Sequence, residues 1–259
     1  MSSKGNDFKG LSLENDDWIS DVTGMTALIT KGEVASDSSE LKSAPGRRIF
    51  VTAKVPVAHV ERSASLIRRG FVVVDTAISL EWTPALVIGA SSVQHPPQSL
   101  YPCDVREAEA EDASAVATLA GRAFVGSRFH LDPDFPNAQA RRIKTEWARN
   151  LALRARGDGC LVAVQNEQVV GFLGFLKCDI GVSSFVIDLI GVDPDAHRKG
   201  VGKSLIIRLL NDAARAGRAV TASTQSANVN SVRLYETLGF RYTGATQVLH
   251  AHDQREQTG

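Results

Sequence analysis

The chain has 259 residues, 43% of them hydrophobic and 22% charged, with 29 Lys or Arg balanced by 29 Asp or Glu. That length allows one large domain or two small ones, and the composition is that of an ordinary globular protein. Residues 1–100 carry 10 basic and 11 acidic side chains, so neither half is basic, which argues against a nucleic-acid partner. Cys103, Cys160 and Cys178 lack metal-ligand spacing, so neither a disulfide scaffold nor a zinc site is expected. No apolar run reaches the ~18 residues of a membrane span, and the polar Met1–Gly10 start has no signal-peptide core. The expectation is a cytoplasmic α/β protein without metal or membrane span.

Residues 1–12 and 32–46 are polar and rich in Ser, Gly and Asp, and read as a flexible start and a surface loop. Met25–Thr30 and Arg48–Lys54 have strand composition. Pro56 can open a helix, because the first turn needs no donor from it. Val57, Val60, Ala64 and Ile67 then fall on one helical stripe, Gly70 caps it, and Phe71–Trp82 is a long β-prone run. This is a β-β-α-β domain over residues 13–88. The Gly, Ser and Pro pair of GASSVQHPPQS place a linker at 89–100.

Residues 101–252 read as a second domain, followed by a tail at 253–259. A strand at Val105–Glu107 precedes a helix at Asp112–Phe124, a loop at Ser127–Pro136 and a helix at Ala138–Arg154 that stacks Ile143, Trp147 and Leu151. A hairpin turns at Asn166-Glu167, and Phe185–Val192 is a strand. Gly200–Ala216 is a helix ended by Gly217. Ala219–Thr224 is a strand, Asn228–Thr237 a helix, and Tyr242–His250 a last strand, expected to be exposed and able to pair across a homodimer. No internal sequence repeat stands out.

The informative stretch is IDLIGVDPDAHRKGVG, residues 187–202. A strand ends at Val192, Asp193-Pro194 breaks it, and His197–Gly202 turns into a helix. Gly200 and Gly202 let backbone N–H groups approach an anion, and the helix start adds a partial positive charge. Gly202-Lys203-Ser204 matches the tail of a nucleotide P-loop, but His197 stands where that motif needs glycine. A glycine pair merely opening a helix is the plainer reading. The third is a coenzyme A pyrophosphate loop.

The stretch resembles the acetyl-CoA loop of the GNAT superfamily of N-acetyltransferases, Gln/Arg-x-x-Gly-x-Gly/Ala after a strand ending in Val-x-Pro, with His197 departing at the Gln/Arg position. Downstream, NVNSVRLYETLGF, residues 228–240, resembles the superfamily's Asn-x-x-Ala/Ser-x-x-Leu-Tyr-x-x-x-Gly-Phe. The likeness covers roughly residues 103–250. More narrowly, SRFHLDPDFP, Trp147 and Asn150, IDLI at 187–190 and ASTQS at 222–226 resemble bacterial nucleotide-sugar N-acetyltransferases of the TDP-fucosamine type. Trp18, AKVP at 53–56 and Gly70-Phe71 carry a looser likeness in the N-terminal half.

The resemblance implies a mixed, mostly antiparallel sheet splayed between its fourth and fifth strands, with acetyl-CoA in the splay. It implies acetyl transfer to a primary amine, the acceptor being a nucleotide-diphosphate amino sugar of surface glycan or lipopolysaccharide synthesis. Ile190 and Val192 would line the thioester, Val192 through its N–H. His197, Arg198, Lys199, Gly200, Val201, Gly202, Lys203 and Ser204 would wrap the pyrophosphate, and Asn228 and Ser231 would border the pantetheine arm. Tyr235 would protonate the leaving thiolate, because a phenol remains a donor at neutral pH, although a core tyrosine beside Leu238 is its plainer reading. Asp188, in an otherwise apolar strand, is a candidate base or a salt-bridged anchor. Strand alternation puts 188, 190 and 192 on one face unless a bulge intervenes. His130 is the other candidate base. Arg128, with Gln225, suits the acceptor, because guanidinium forks onto phosphate. A GNAT acting on another amine and a non-catalytic GNAT-like module are the rivals.

Overall fold

The computed structural model describes residue 8 and residues 10–31, 48–84 and 103–253. The loop expected at 32–46, the linker at 89–100 and most of the two termini lie outside them. The chain forms two compact units. One comprises Met1–Ala77, Gly126–Ile143 and Ala245–Gly259; the other comprises Ile78–Val125 and Lys144–Gly244. They follow space rather than sequence order, unlike the contiguous domains expected from composition.

In the first unit, β1 (Leu13–Asn15) runs antiparallel to β2 (Thr26–Thr30), which lies parallel to β3 (Ile49–Pro56). Residues Thr246–Asp253 of β10 (Arg241–Asp253) pair antiparallel with β3. The final strand is therefore hydrogen-bonded within the chain, and the dimer edge expected there is not present. Helix α1 (Asp17–Thr23) was not expected. Its local signals are an Asp16 cap accepting from the Ile19 N–H at 3.0 Å and Gly24, at φ 74°, as a left-handed stop. Helix α2 (Val60–Arg68) begins after Pro56, which closes β3. The expected α2 stripe faces outward: Val60 is 69% exposed and Ile67 50%, while Ser63 and Leu66 are buried. Leu66 joins Leu28, Val51, Val55, Phe71 and Leu249 in this unit's core.

The segment 126–143, read as a loop in its first half, contains the short helix α4 (Arg128–Leu131) and the start of α5 (Asn137–Ala152). It packs on β3 and β10. Phe129 and Phe135 surround Phe50, the Phe50–Phe135 ring centroids lying 5.0 Å apart. Beneath them Asp132 Oδ2 sits 2.7 Å from His250 Nδ1 and 2.8 Å from His252 Nε2.

In the second unit, β5 (Asp104–Glu107), β6 (Gly159–Gln165), β7 (Gln168–Cys178) and β8 (Ser184–Val192) pair antiparallel in that order. Strand β9 (Ala219–Gln225) then lies parallel to β8. Asn166 and Glu167, at φ 49° and 63°, make the β6–β7 hairpin turn. Helix α6 (Val201–Arg215) covers one face through Leu205, Ile206 and Leu209. Helices α3 (Ala113–Ala123) and α5 cover the other through Val116, Ala120 and Leu151. Burial of apolar residues on both faces explains the near-continuous hydrophobic runs of β6 and β7.

The two units share a β-α-β element that the sequence alone did not reveal. Strand β3, helix α2 and strand β4 (Val72–Trp82) correspond at one constant offset to β9, helix α7 (Val229–Thr237) and β10: Val60 matches Val229, and Val72 matches Arg241. The helices are followed by Gly70 at φ 93° and Gly239 at φ 87°, each before a buried Phe, Phe71 and Phe240. The leading strands share Val-Thr-Ala at 51–53 and 220–222. Each also has a parallel neighbour, β2 or β8.

Candidate active site

The parallel pairing of β8 with β9 runs only from Ser184↔Ala219 to Ile187↔Ala222. Beyond it, Asp188–Val192 continues along β7, while the chain after β9 turns into α7. The strands thus part where the family resemblance implies, between the fourth and fifth strands of the second unit.

The loop after Val192 is held from several sides. Arg122 reaches Asp193 Oδ2 at 3.0 Å and Asp195 Oδ2 at 2.9 Å. Asp193 also accepts from the Asp195 N–H. His197, the departure from the family pattern, places Nε2 3.0 Å from the Val192 carbonyl, closing the loop back onto the strand. Arg198 at φ 60° and Gly200 at φ 84° then turn the chain into α6. Gly200 suits that left-handed position because it has no Cβ.

At the start of α6 the N–H groups of Val201, Gly202 and Lys203 come before the first intrahelical acceptor. Ser204 is already inside the helix: its N–H and its hydroxyl both donate to the Gly200 carbonyl. The set of N–H groups without an intrahelical acceptor therefore ends at Lys203, and Ser204 is 2% exposed. A Cβ on Gly202 would sit 3.5 Å from Val192 and 3.6 Å from Leu234. The helix start, the end of β8 and α7 thus converge.

Asn228 caps α7, its Oδ1 accepting from the Ser231 N–H at 3.2 Å, and its amide N–H groups are the side chain's remaining donors. Gln225 is half-buried at the end of β9 and accepts from the Asn228 N–H through its carbonyl. Tyr235, about two turns after Asn228, is 3% exposed and packs edge-on against Phe240 at 5.0 Å. Burial raises its phenol above the ordinary value, so the hydroxyl stays protonated. It lies in the core beside Leu238, as the plainer reading requires, and on the same helix as Asn228.

Asp188 does not share a face with Ile190 and Val192. The β7–β8 register passes from Gly174↔Leu189 to Phe175↔Ile187, leaving Asp188 as the extra residue of a bulge. Ile187, Ile190 and Val192 pack on the α6 side, whereas Leu189 packs on the α3 and α5 side. There Asp188 Oδ2 lies 2.7 Å from Arg156 Nε and 2.7 Å from Trp147 Nε1, and Oδ1 lies 3.2 Å from Arg156 Nη2. This is the salt-bridged anchor. Arg156 carried no sequence signal, because an arginine after a helix is usually a solvated surface residue.

Arg128 and His130 belong to the first unit, the others to the second. Half-buried Arg128 donates to Thr52 Oγ1 at 3.3 Å and lies over the Phe129 ring. Burial lowers its pKa to about 10, against the raising pull of Asp16 and Asp75. His130 Nδ1 is 2.8 Å from Ser127 Oγ. Cys160 is buried, which pushes its thiol up to about 12 and makes it a core filler rather than a nucleophile. Among the described residues no helix is long and apolar enough to cross a membrane, and no group of His, Cys, Asp and Glu could hold a metal ion.

Residues 126–240 match the acetyltransferase (GNAT) family model. The spore coat polysaccharide biosynthesis protein SpsD of Bacillus subtilis is 35% identical over 51% of this chain and 45% of its own length. An L-methionine sulfoximine/L-methionine sulfone acetyltransferase of Salmonella typhimurium is 35% identical over 34% of this chain and 53% of its own length. The chain thus spans about half the length of these two relatives. The L-amino acid N-acyltransferase MnaT of Escherichia coli is 30% identical over 54% of this chain, and 80% of that protein is covered. In fold, the chain is similar to a GCN5-related N-acetyltransferase from Sphaerobacter thermophilus, with a TM-score of 0.59 and 15% identity over 93% of this chain and 75% of that one. With the strands parted beside a helix start rich in unpaired N–H groups, and with relatives of this kind, the chain belongs to the GNAT family of acetyltransferases.

Proposed function

We propose that the protein transfers acetyl from acetyl-CoA to the primary amine of a nucleotide-diphosphate amino sugar, in the cytoplasm and on a route to a surface polysaccharide. The observation that carries the transfer is the parting of β8 from β9 beside the open N–H groups of Val201, Gly202 and Lys203. Those amides suit a pyrophosphate, because they are donors without intrahelical acceptors and sit at the positive end of the helix dipole. His197, Arg198, Lys199 and Gly200 form the loop that precedes them. Asn228 and Ser231 border the arm that reaches toward Val192.

Acetyl-CoA supplies the activated acetyl group as a thioester. The Val192 N–H stabilises negative charge developing on the thioester oxygen as the amine attacks. Tyr235 donates its phenolic proton to the departing sulfur and regains one from water. Asp188, with both oxygens already accepting hydrogen bonds, and His130, bonded to Ser127, are less suited to direct proton removal. Water takes the amine proton. Support for the sugar acceptor comes from the likeness to a polysaccharide biosynthesis protein.

Two of the relatives are named for amino-acid acylation, which favours a second reading in which the amine belongs to an amino acid. A thiol-release assay with acetyl-CoA decides. Its arms are nucleotide-linked amino sugars, the free amino sugars, L-amino acids and L-methionine sulfone. Turnover with the nucleotide-linked sugars alone is expected; turnover confined to the amino acids overturns the sugar assignment.

A further inference from the structure

We propose that Asp188, Arg156 and Trp147 form a clamp that fixes the bulge in β8 and so aims Val192 at the start of α6, making Asp188 a positioning residue. The inference rests on the reading that the end of β8 holds the thioester.

The argument begins with the phase of the strand. Successive strand residues face opposite sides of a sheet. Ile187 packs on the α6 side. Regular alternation would then send Leu189 to the α6 side, and Asp188, Ile190 and Val192 to the α3 and α5 side. The observed order differs. Leu189 packs among Leu151, Phe172 and Ala120 on the α3 and α5 side. A Cβ on Gly191 would meet Phe172 and Phe124 on that same side, whereas Ile190 and Val192 pack with Val201 and Leu205. The single extra residue, Asp188, reverses the phase of everything after it. With Asp188 paired in a regular strand and no bulge, Val192 would face away from Gly202.

A bulged residue leaves its own ladder bonds unmade, so a bulge in an interior strand needs another holder. Here that holder is built from side chains of a different element. Arg156 forks onto both oxygens of Asp188, at 2.7 and 3.2 Å, and the indole N–H of Trp147 adds a third bond at 2.7 Å. The guanidinium also lies 4.5 Å from the Trp147 ring centroid. The carboxylate is 10% exposed and Arg156 37%. A carboxylate this buried is tolerable only when paired, so losing any partner shifts the balance at the bulge. The β7 side is fitted to the same spot: Gly174 and Phe175 flank the break, and a Cβ on Gly174 would run into Leu151 at 2.6 Å.

The test compares Asp188→Asn, Arg156→Gln, their double variant and Trp147→Phe in the full chain. Acetyl-CoA titration calorimetry on the wild type comes first; failure to bind defeats the underlying functional reading and not the clamp. The clamp is then read by backbone amide hydrogen exchange at Leu189–Val192, which needs no turnover. Exchange there is expected to quicken about tenfold or more in Asp188→Asn and in Arg156→Gln, with the double variant no worse than either single, as coupled partners behave. Turnover is expected to fall in parallel while the pH profile keeps its shape. Trp147→Phe removes one bond and keeps the ring, so it should give a smaller effect in the same direction and serves where the charged variants fold poorly. The clamp is overturned if exchange at these amides matches wild type in all variants. It is also overturned if Asp188→Asn alone abolishes turnover and reshapes the pH profile while Arg156→Gln stays near wild type, the behaviour of a proton acceptor.

Discussion

At the scale of single residues, the site combines one glycine-dependent turn, at Gly200, with one buried phenol. Gly202 is informative because its surroundings separate sterics from charge. A Cβ there meets Val192 and Leu234 only at ordinary contact distance. Gly202→Ala is therefore expected to fold normally, with a melting temperature at or above wild type, since alanine is the better helix former. Gly202→Asp is expected to weaken acetyl-CoA binding by tenfold or more, because it puts negative charge among the N–H groups that suit a pyrophosphate. Calorimetry on the pair checks both, and equal affinity in the two variants would remove the pyrophosphate from this helix. Tyr235→Phe keeps the ring packed against Phe240. Acid catalysis is typically worth ~10²–10⁴ in rate. A fall in turnover of that size with unchanged acetyl-CoA affinity is the expected signature, and a change in stability alone would leave Tyr235 with a packing role only.

At the scale of elements, the segment 126–143 is tied to β10 through Asp132, His250 and His252. Burial lowers the His250 pKa to about 4, against the raising pull of Asp132. Burial would raise Asp132, but its bonds to the two histidines outweigh this and hold it below the ordinary carboxylate range. Both groups bind protons less tightly in the folded chain than in the unfolded one. The unfolded chain therefore takes up more protons as pH falls, and stability falls with it. For His250 the loss spans ~6.5, the unfolded value, down to about 4; for Asp132 it begins below the ordinary 3.8 and continues downward. Urea midpoints between pH 7 and 4 should drop for wild type and flatten over that window in His250→Gln. A parallel drop in the variant would show that other groups govern acid sensitivity.

At the scale of the whole molecule, two compact units share a β-α-β plan, and the chain passes between them within β4 and within β10. The second half of β10 supplies the first unit with Leu249 and Ala251 and with eight residue pairs against β3. That half of β10 is thus structural. Leu249, fully buried, should cost ~2–5 kcal/mol when cut to alanine. Ending the chain after Gly244 should expose the first unit to protease while the central residues 144–240 persist as a resistant fragment. Equal resistance of both units in that truncation would contradict the assignment of β10.

Local backbone structure was legible in the sequence. Gly200, the Asp193-Pro194 break and Asn228 mark the turn into α6 and the start of α7 because they act on their own backbone within a few residues. The parting of β8 from β9 followed from the same stretch through family resemblance. What tertiary structure decided was orientation and partnership. The outward Val60 and Ile67 and the pairing of β10 with β3 each depend on what lies opposite in space. Asp188 is the clearest case. One unpaired residue reverses a strand's phase, and Arg156 and Trp147, 32 and 41 residues away along the chain, meet it only after folding. Period-two alternation carries no record of a bulge, because the register is set between strands and not within one.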